Sequence, residues 1–139
     1  MRSEARSWYV EALLRAAWAP AGLVLTYAVG VKATNAQWSL PWIDMAAHFL
    51  GGVAITYFFS EVMSQAQRAT GKVVGVVRSI AALGLTALAA IGWELMEYAS
   101  DALLGTSLNN GVTDTLMDLV LGIAGGLALL IWRGASRER

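Results

Sequence analysis

The sequence predicts an all-α membrane protein, a bundle of four transmembrane helices in a single domain. Of its 139 residues, 57% are hydrophobic and only 14% are charged, and the mean hydropathy is +0.54. A soluble domain carries charges on about a quarter of its residues, because its surface faces water. At this length a single domain is the natural expectation.

Four apolar stretches are long enough to cross a bilayer, which takes roughly 20 residues in a helix. The first carries Arg15 near its start, and Pro20 predicts a kink in it. Pro41 precedes the second stretch and suits the first turn of a helix. The spans are predicted over residues 11–31, 42–63, 79–98 and 114–132.

The basic residues orient this bundle. They fall at the start of the first span, between the second and third spans, and after the fourth, whereas Lys32 alone lies on the opposite side. Basic residues are retained on the cytoplasmic side of a membrane, so we expect both termini in the cytoplasm. The residues behind this orientation are Arg2, Arg6, Arg15, Arg68, Lys72, Arg78, Arg133, Arg137 and Arg139.

With this topology, three helices bring carboxylates and the only histidine to the outer end of the bundle. These residues are Asp44, His48, Glu94, Glu97, Asp101, Asp114 and Asp118. Within each helix their spacing is i to i+3, i+4 or i+7, which places them on one face. Small residues follow on the same faces: Gly51, Gly52, Ala87, Ala90, Gly122, Gly125 and Gly126. Small residues mark close helix contacts in membranes, so we expect the acids to face one another.

Such a cluster cannot stay fully ionised without compensation, so either several acids are protonated or a cation binds. Carboxylate oxygens and an imidazole suit Mg²⁺, Mn²⁺, Ca²⁺, Fe²⁺ or Zn²⁺. We therefore expect a divalent metal ion, with Asp44, His48, Glu94, Glu97, Asp114 and Asp118 as candidate ligands.

Structural explanations compete with this interpretation. Asp44 and Asp114 fall in first helical turns, where an acid stabilises the helix without any function. Glu94 and Glu97 lie near a helix C-terminus, where the dipole disfavours anions, so this explanation fails for them. Acids within a membrane span are expected to be functional.

The turn-rich loop between the third and fourth spans adds two open points. Asp101 is either a member of the site or a solvated acid beside this loop. Asn109 or Asn110 is expected to fold over the site as a lid or as an additional ligand. The sequence from 105 to 111 is GTSLNNG, which is typical of a turn.

Three segments carry a resemblance to a known family. They read IDMAAHFLGG (43–52), WELMEYASDALLGT (93–106) and TDTLMDLVLGIAGG (113–126). In this order they resemble the YjdF-type family of bacterial inner-membrane proteins, over roughly residues 43–127, with a weaker likeness to VanZ-like membrane proteins. The resemblance implies a multi-pass protein of the bacterial inner membrane whose acidic end is periplasmic. The six candidate ligands correspond to the polar positions of that family, which has no settled activity.

Several functions fit these residues, and the sequence does not decide whether the chain is an enzyme. A bound metal could activate water to hydrolyse a lipid or a lipid-linked head group, with Glu97 as general base and Asp118 as the second catalytic residue. A cation or proton transporter would use the acids as a path, with Glu61 on the inner side. An assembly subunit would dock another membrane protein through the glycine faces. Expected partners are membrane lipid and either a second copy or a larger membrane complex, and zero net charge offers no surface for nucleic acid.

Overall fold

The computed structural model describes residues 10–27, 29, 40, 42–71 and 75–137. Its helices are α1 (Trp18–Thr26), α2 (Trp42–Thr70), α3 (Gly75–Leu104) and α4 (Val112–Arg137). Residues 10–16 form a further helical segment before α1, and the described ranges contain no strand. The all-α prediction is confirmed.

Three helices in the described residues, not four, are long and apolar enough to cross a membrane. They cover Trp42–Arg68, Gly75–Leu104 and Val112–Ser136, and so confirm the second, third and fourth predicted spans. The described residues thus give three spans where four were predicted, and the first span, over 11–31, stays a prediction. A turn at Ala17 interrupts the helix in this stretch, because Pro20 has no N–H to donate to the carbonyl of Ala16, while the N–H groups of Ala17 and Ala21 still bond to the carbonyls of Leu13 and Ala17.

α1 itself has nine residues, and Ala17 before it and Tyr27 after it also have right-handed helical dihedral angles. The predicted end of the first span, at residues 28, 30 and 31, lies outside the described residues. The orientation of the termini stays a prediction, and several residues behind it also lie outside: Arg2, Arg6, Lys32, Lys72 and Arg139.

The central helix is α2, which packs against α1, α3 and α4, while α3 also packs against α4. The approach of α2 to α4 is so close that only glycine fits. A Cβ on Gly52 would collide with the carbonyl oxygen of Gly122, and a Cβ on Gly125 would collide with the carbonyl oxygen of Phe49. The predicted close contact through glycine faces is therefore confirmed for these two helices.

A pair of hydroxyls joins α2 to α3 in the middle of the bundle. The oxygens of Thr56 and Thr86 lie 2.7 Å apart, and the two residues are 0% and 1% exposed. Because Thr86 donates to the carbonyl oxygen of Ala82 at 2.9 Å, Thr56 is the donor to Thr86. Every hydroxyl hydrogen of this buried pair is thus used, as burial in an apolar interior requires.

The end of the bundle opposite the carboxylates carries an ion pair between α2 and α4. Arg133 donates to Oε1 of Glu61 at 2.9 Å, and its guanidinium carbon lies 5.0 Å from the ring centre of Tyr57. The Tyr57 ring in turn meets Trp18 of α1 edge to face, with ring centres 5.7 Å apart. Glu61, the inner acid of the transport hypothesis, is therefore paired with a cation.

Candidate functional site

His48 lies at the centre of the carboxylate cluster. Its Nε2 is 3.9 Å from Oδ2 of Asp44, one turn earlier on α2, and 3.6 Å from Oδ2 of Asp118 on α4. Its Nδ1 is 3.9 Å from Oε1 of Glu94 on α3. The predicted convergence of three helices at one end of the bundle is confirmed for these four residues.

Three of them offer ligand atoms close enough to share one cation. A carboxylate oxygen from each of Asp44 and Asp118 and a ring nitrogen of His48 lie within 4.8 Å of one another. Ligands that surround a cation at about 2.0–2.6 Å are themselves about 3–4 Å apart. The side chains of His48 and Asp118 are only 14% and 3% exposed. Small rotations of these buried side chains would bring the ligand atoms to the spacing found around a bound cation.

Glu94 adds a carboxylate whose hydrogen bonding is incomplete. The residue is 6% exposed, and its Oε2 is buried without a hydrogen-bond partner among the described residues. Buried polar atoms in folded proteins nearly always have a partner, so an orphaned oxygen requires an explanation. A proton on the carboxyl group or a cation beside it would supply one.

Carboxylates are concentrated at this end of the bundle. No lysine or arginine in the described part of the chain forms an ion pair with Asp44, Glu94 or Asp118. Asp118 is within electrostatic reach of all the other candidate acids, namely Asp44, Glu94, Glu97 and Asp114. Two like charges about 4 Å apart repel by about 4 kcal/mol where the effective dielectric constant is about 20. Protons or a bound cation would relieve this repulsion.

Glu97 lies one turn beyond Glu94 on α3 and is held in a different way. Its Oε1 accepts a hydrogen bond of 2.9 Å from the indole N–H of Trp93, and the residue is 8% exposed. It is not one of the three residues whose ligand atoms lie together. Its carboxylate instead contributes to the wall of a cavity that also includes His48, a position suited to a group that acts on a bound molecule.

Asp114, the remaining candidate ligand, faces the loop before α4. Its Oδ2 accepts from the backbone N–H of Asn110 at 3.2 Å and from the side-chain amide of Asn110 at 3.0 Å. Asp114 is the third residue of α4, where an acid stabilises the positive end of the helix. Asp114 therefore has the structural role expected of an acid in a first helical turn. Its carboxylate lies outside the three-residue ligand group.

Asp101 holds the loop between α3 and α4. Its Oδ1 accepts from the hydroxyl of Thr106 at 2.6 Å and the N–H of Leu108 at 2.8 Å, and its Oδ2 accepts from the N–H of Asn109 at 2.9 Å. These bonds fold the loop back on the end of α3. Of the two interpretations of Asp101, the structure supports the loop-side acid.

The loop asparagines bond within the loop and to the first turns of α4. The Asn109 amide donates to the hydroxyl of Thr115 at 2.7 Å, and its oxygen accepts from the N–H of Gly111 at 2.7 Å. The Asn110 amide bonds to Asp114. Both asparagines thus hold the turn before α4, and their expected role as a lid or an additional ligand stays a prediction.

Sequence reasoning did not identify Tyr27. Its hydroxyl donates to Oδ1 of Asp44 at 2.8 Å, so it orients the carboxylate whose other oxygen lies near His48. A signal existed, because Tyr27 lies near the outer end of the first apolar stretch, at the depth where the acids were expected. Trp93, which orients Glu97, carried a comparable signal at i to i+4 spacing.

Comparisons with known proteins agree with a membrane protein. The family model described as predicted membrane protein (DUF2238) matches residues 4–139. An uncharacterised protein of Thermotoga maritima is 30% identical over 93 residues, which are 65% of this chain and 47% of that protein. The chain thus spans about half the length of the curated relative that it matches. No solved structure matches the chain. The family match is consistent with the YjdF-type resemblance, and the likeness to VanZ-like proteins stays a prediction.

Proposed function

Because the chain belongs to the DUF2238 family of predicted membrane proteins, its polar cluster lies in a membrane protein, and we propose that this cluster binds a divalent cation. Asp44, His48 and Asp118 are the ligands whose atoms already lie together, and Glu94 brings a further carboxylate. The observation that carries the proposal is that ligand atoms of Asp44, His48 and Asp118 lie within 4.8 Å of one another, and Oε2 of Glu94, buried nearby, has no hydrogen-bond partner among the described residues.

The donor set limits the identity of the cation. Carboxylate oxygens with one imidazole suit Mn²⁺, Fe²⁺ or Zn²⁺, and the oxygen-rich composition also suits Mg²⁺ and Ca²⁺. The chain has no cysteine, so thiolate ligands play no part. Glu97 and Asp114 lie outside the three-residue group, where their carboxylates are bonded to Trp93 and Asn110.

Elemental analysis of the purified protein tests the binding. We expect a stoichiometric divalent metal, whose removal by a chelator lowers thermal stability and whose return restores it. A ligand at about 100 times its dissociation constant stabilises a folded protein by about 2.7 kcal/mol. The Asp118→Asn variant should lose this response, and Glu11→Gln, which changes an exposed acid paired with Arg15, should retain it. No stoichiometric metal, together with stability indifferent to chelators and cations, would contradict the proposal.

We further propose that the site hydrolyses the head-group ester of a membrane lipid, at the periplasmic face of a bacterial inner membrane. A divalent cation supplies Lewis acidity, which makes a coordinated water more acidic and polarises a phosphoryl or carbonyl oxygen. Glu97 is the general base, because Trp93 fixes one of its oxygens and its carboxylate borders the cavity. Asp118, nearly fully buried, keeps His48 and the cation in position.

In this reaction Glu97 accepts a proton from water, whose oxygen bonds to the phosphorus or carbonyl carbon of the lipid. The ester bond to the departing oxygen breaks, and that oxygen takes the proton from Glu97. Turnover assays with phospholipids and polyprenyl phosphates test the step. Glu97→Gln and Asp118→Asn should each abolish turnover, and Glu11→Gln should not. Activity that persists in the first two variants would overturn the assignment.

The alternatives receive less support from the same contacts. A proton or cation path would need an available acid on the inner side, but Glu61 forms an ion pair with Arg133. An assembly subunit would need its glycine faces exposed, but Gly52 and Gly125 pack between α2 and α4 of this chain. Ion flux into proteoliposomes that depends on Glu61 would restore the transport hypothesis.

A further inference from the structure

A cavity of about 320 Å³ lies beside the candidate metal site, between α1, α2 and α3. Most of its wall is apolar and includes Leu23, Gly51, Ile55 and Ala89. Tyr27, His48 and Glu97 border it on the side of the candidate site, and Thr86, which is also in its wall, donates its hydroxyl to the carbonyl oxygen of Ala82. The cavity is therefore divided into a long apolar part and a polar end shared with the candidate site.

The size and lining of this cavity are those of a ligand site. Protein interiors are packed so closely that few voids exceed the size of a water molecule. Apolar cavities of this kind do not hold water stably. Sites for small molecules typically enclose about 300–1,000 Å³, with apolar walls and a few polar groups that orient the ligand.

Part of the cavity wall is also exposed on the outside of the bundle. Its wall includes Val24 of α1 and Trp93 and Met96 of α3, which are 52%, 38% and 42% exposed on the outside of the bundle. Along α3 the wall runs from Thr86 to Glu97, a distance of about 17 Å. That length is about half of a hydrocarbon core about 30 Å thick, which is the depth of one leaflet.

We infer that this cavity holds one hydrocarbon chain of a membrane lipid, whose head group reaches His48 and Glu97. The chain enters from the adjacent leaflet through this exposed part of the wall, and the polar end receives the ester. The inference rests on the proposed function for what happens to the head group, and it names the substrate class as a lipid bound by a single chain. Binding of the hydrocarbon chain depends on the apolar part of the cavity wall alone.

Photolabelling in vesicles tests the inference. The full chain is reconstituted in phosphatidylcholine vesicles with a trace of phosphatidylglycerol that carries a diazirine in the middle of one acyl chain. After illumination, labelled residues are mapped by mass spectrometry. We expect label on the cavity wall, at Ile55 and Ala89, in excess of label on the outward side chains Leu88 and Leu95, which are 65% and 63% exposed.

Two variants fill the cavity from opposite walls. A Cβ on Gly51 would lie 3.8 Å from Cδ2 of Leu23, an ordinary contact, so Gly51→Leu occupies the space without a backbone collision. Ala89→Leu does the same from α3. Each should reduce labelling of the cavity wall by about tenfold, equivalent to about 1.4 kcal/mol. Gly84→Leu is the matched control, because a Cβ there meets nothing within 4 Å, and it should change nothing.

Metal content measured on the same samples separates this inference from the proposed function. Labelling of the cavity wall should survive a chelator, and Gly51→Leu should retain its metal. A protein that binds no metal but keeps cavity labelling would overturn the proposed function alone. Cavity labelling no greater than surface labelling, or unchanged in both Gly51→Leu and Ala89→Leu, would overturn the inference and indicate that another part of the chain covers the space.

Discussion

The Nδ1 atom of His48 lies 3.9 Å from Oε1 of Glu94 on a different helix, and the other oxygen of that carboxylate is buried without a hydrogen-bond partner among the described residues. A proton on the imidazole would balance Glu94 by charge. A coordinated cation would balance it directly and leave the imidazole neutral. Replacing Glu94 with glutamine distinguishes a protonated imidazole from a coordinated cation, because only the cation would lose a ligand or supporting group.

Glu94→Gln is expected to reduce metal affinity by about tenfold or more, a loss of the size seen when groups that support metal sites are removed. The amide keeps the volume of the side chain and removes a charge from a crowded cluster. The metal-free variant should therefore be at least as stable as the metal-free wild type. Metal titration followed by thermal unfolding measures both quantities.

Glu11→Gln is the control for this change, since Glu11 is an exposed acid in an ion pair with Arg15 far from the cluster. It should leave metal affinity unchanged. If Glu94→Gln also retained full metal affinity, Glu94 would be a buried acid kept protonated for packing rather than a ligand.

Tyr27→Phe is expected to weaken metal binding by about tenfold, because a hydrogen bond to a ligand carboxylate fixes its orientation. The lost bond is the one of 2.8 Å from the Tyr27 hydroxyl to Oδ1 of Asp44. Calorimetric titration with Mn²⁺ or Zn²⁺ measures the effect. Tyr98→Phe is the matched control, since Tyr98 is 67% exposed, and equal affinities in the two variants would remove Tyr27 from the site.

The long helices and the meeting of the acids could be predicted because both follow from one-dimensional patterns. Hydropathy located three spans, and their alternating direction placed Asp44, His48, Glu94 and Asp118 at one end. The turn at Ala17 in the first apolar stretch agrees with the kink that Pro20 predicted there, since Pro20 cannot donate to the carbonyl of Ala16.

The hydrogen bonds of the loop and those between helices could not be predicted, because they depend on the backbone path and on how the helices are rotated against one another. Asp101 bonds to three groups of a loop whose backbone path cannot be read from GTSLNNG, so a role as ligand and a role in the turn looked equivalent. The bond between Thr56 and Thr86 depends on the rotation of α2 against α3. Tyr27 reaches Asp44 only because α1 packs on α2.

Asp101→Asn should destabilise the loop without affecting metal binding. The carboxylate accepts three hydrogen bonds from the loop, and an amide would turn an N–H toward one of those donors. A bond of this kind contributes about 1 kcal/mol. Hydrogen exchange at the amides of Leu108 and Asn109 should become about fivefold faster.

Thr106→Val provides a graded control for the loop, because it removes a single bond to Asp101 and leaves the two backbone donors in place. Its effect on exchange should be smaller than that of Asp101→Asn. A loss of metal in Asp101→Asn with unchanged exchange would mean that Asp101 belongs to the ligand shell after all.

Gly52→Ala should destabilise the protein strongly, although alanine favours helices over glycine by about 1 kcal/mol. A Cβ at this position would collide with the carbonyl oxygen of Gly122, which is backbone and cannot rotate away, so α2 and α4 would have to separate. Overpacking of this kind costs about 1–3 kcal/mol. Since Asp118 lies one turn before Gly122 on α4, the separation should also move it from His48 and weaken metal binding.

Gly84→Ala, on an open face of α3, should instead be neutral or stabilising. Thermal unfolding with and without metal gives both measurements, and equal stability of the two variants would show that α2 and α4 do not meet through Gly52.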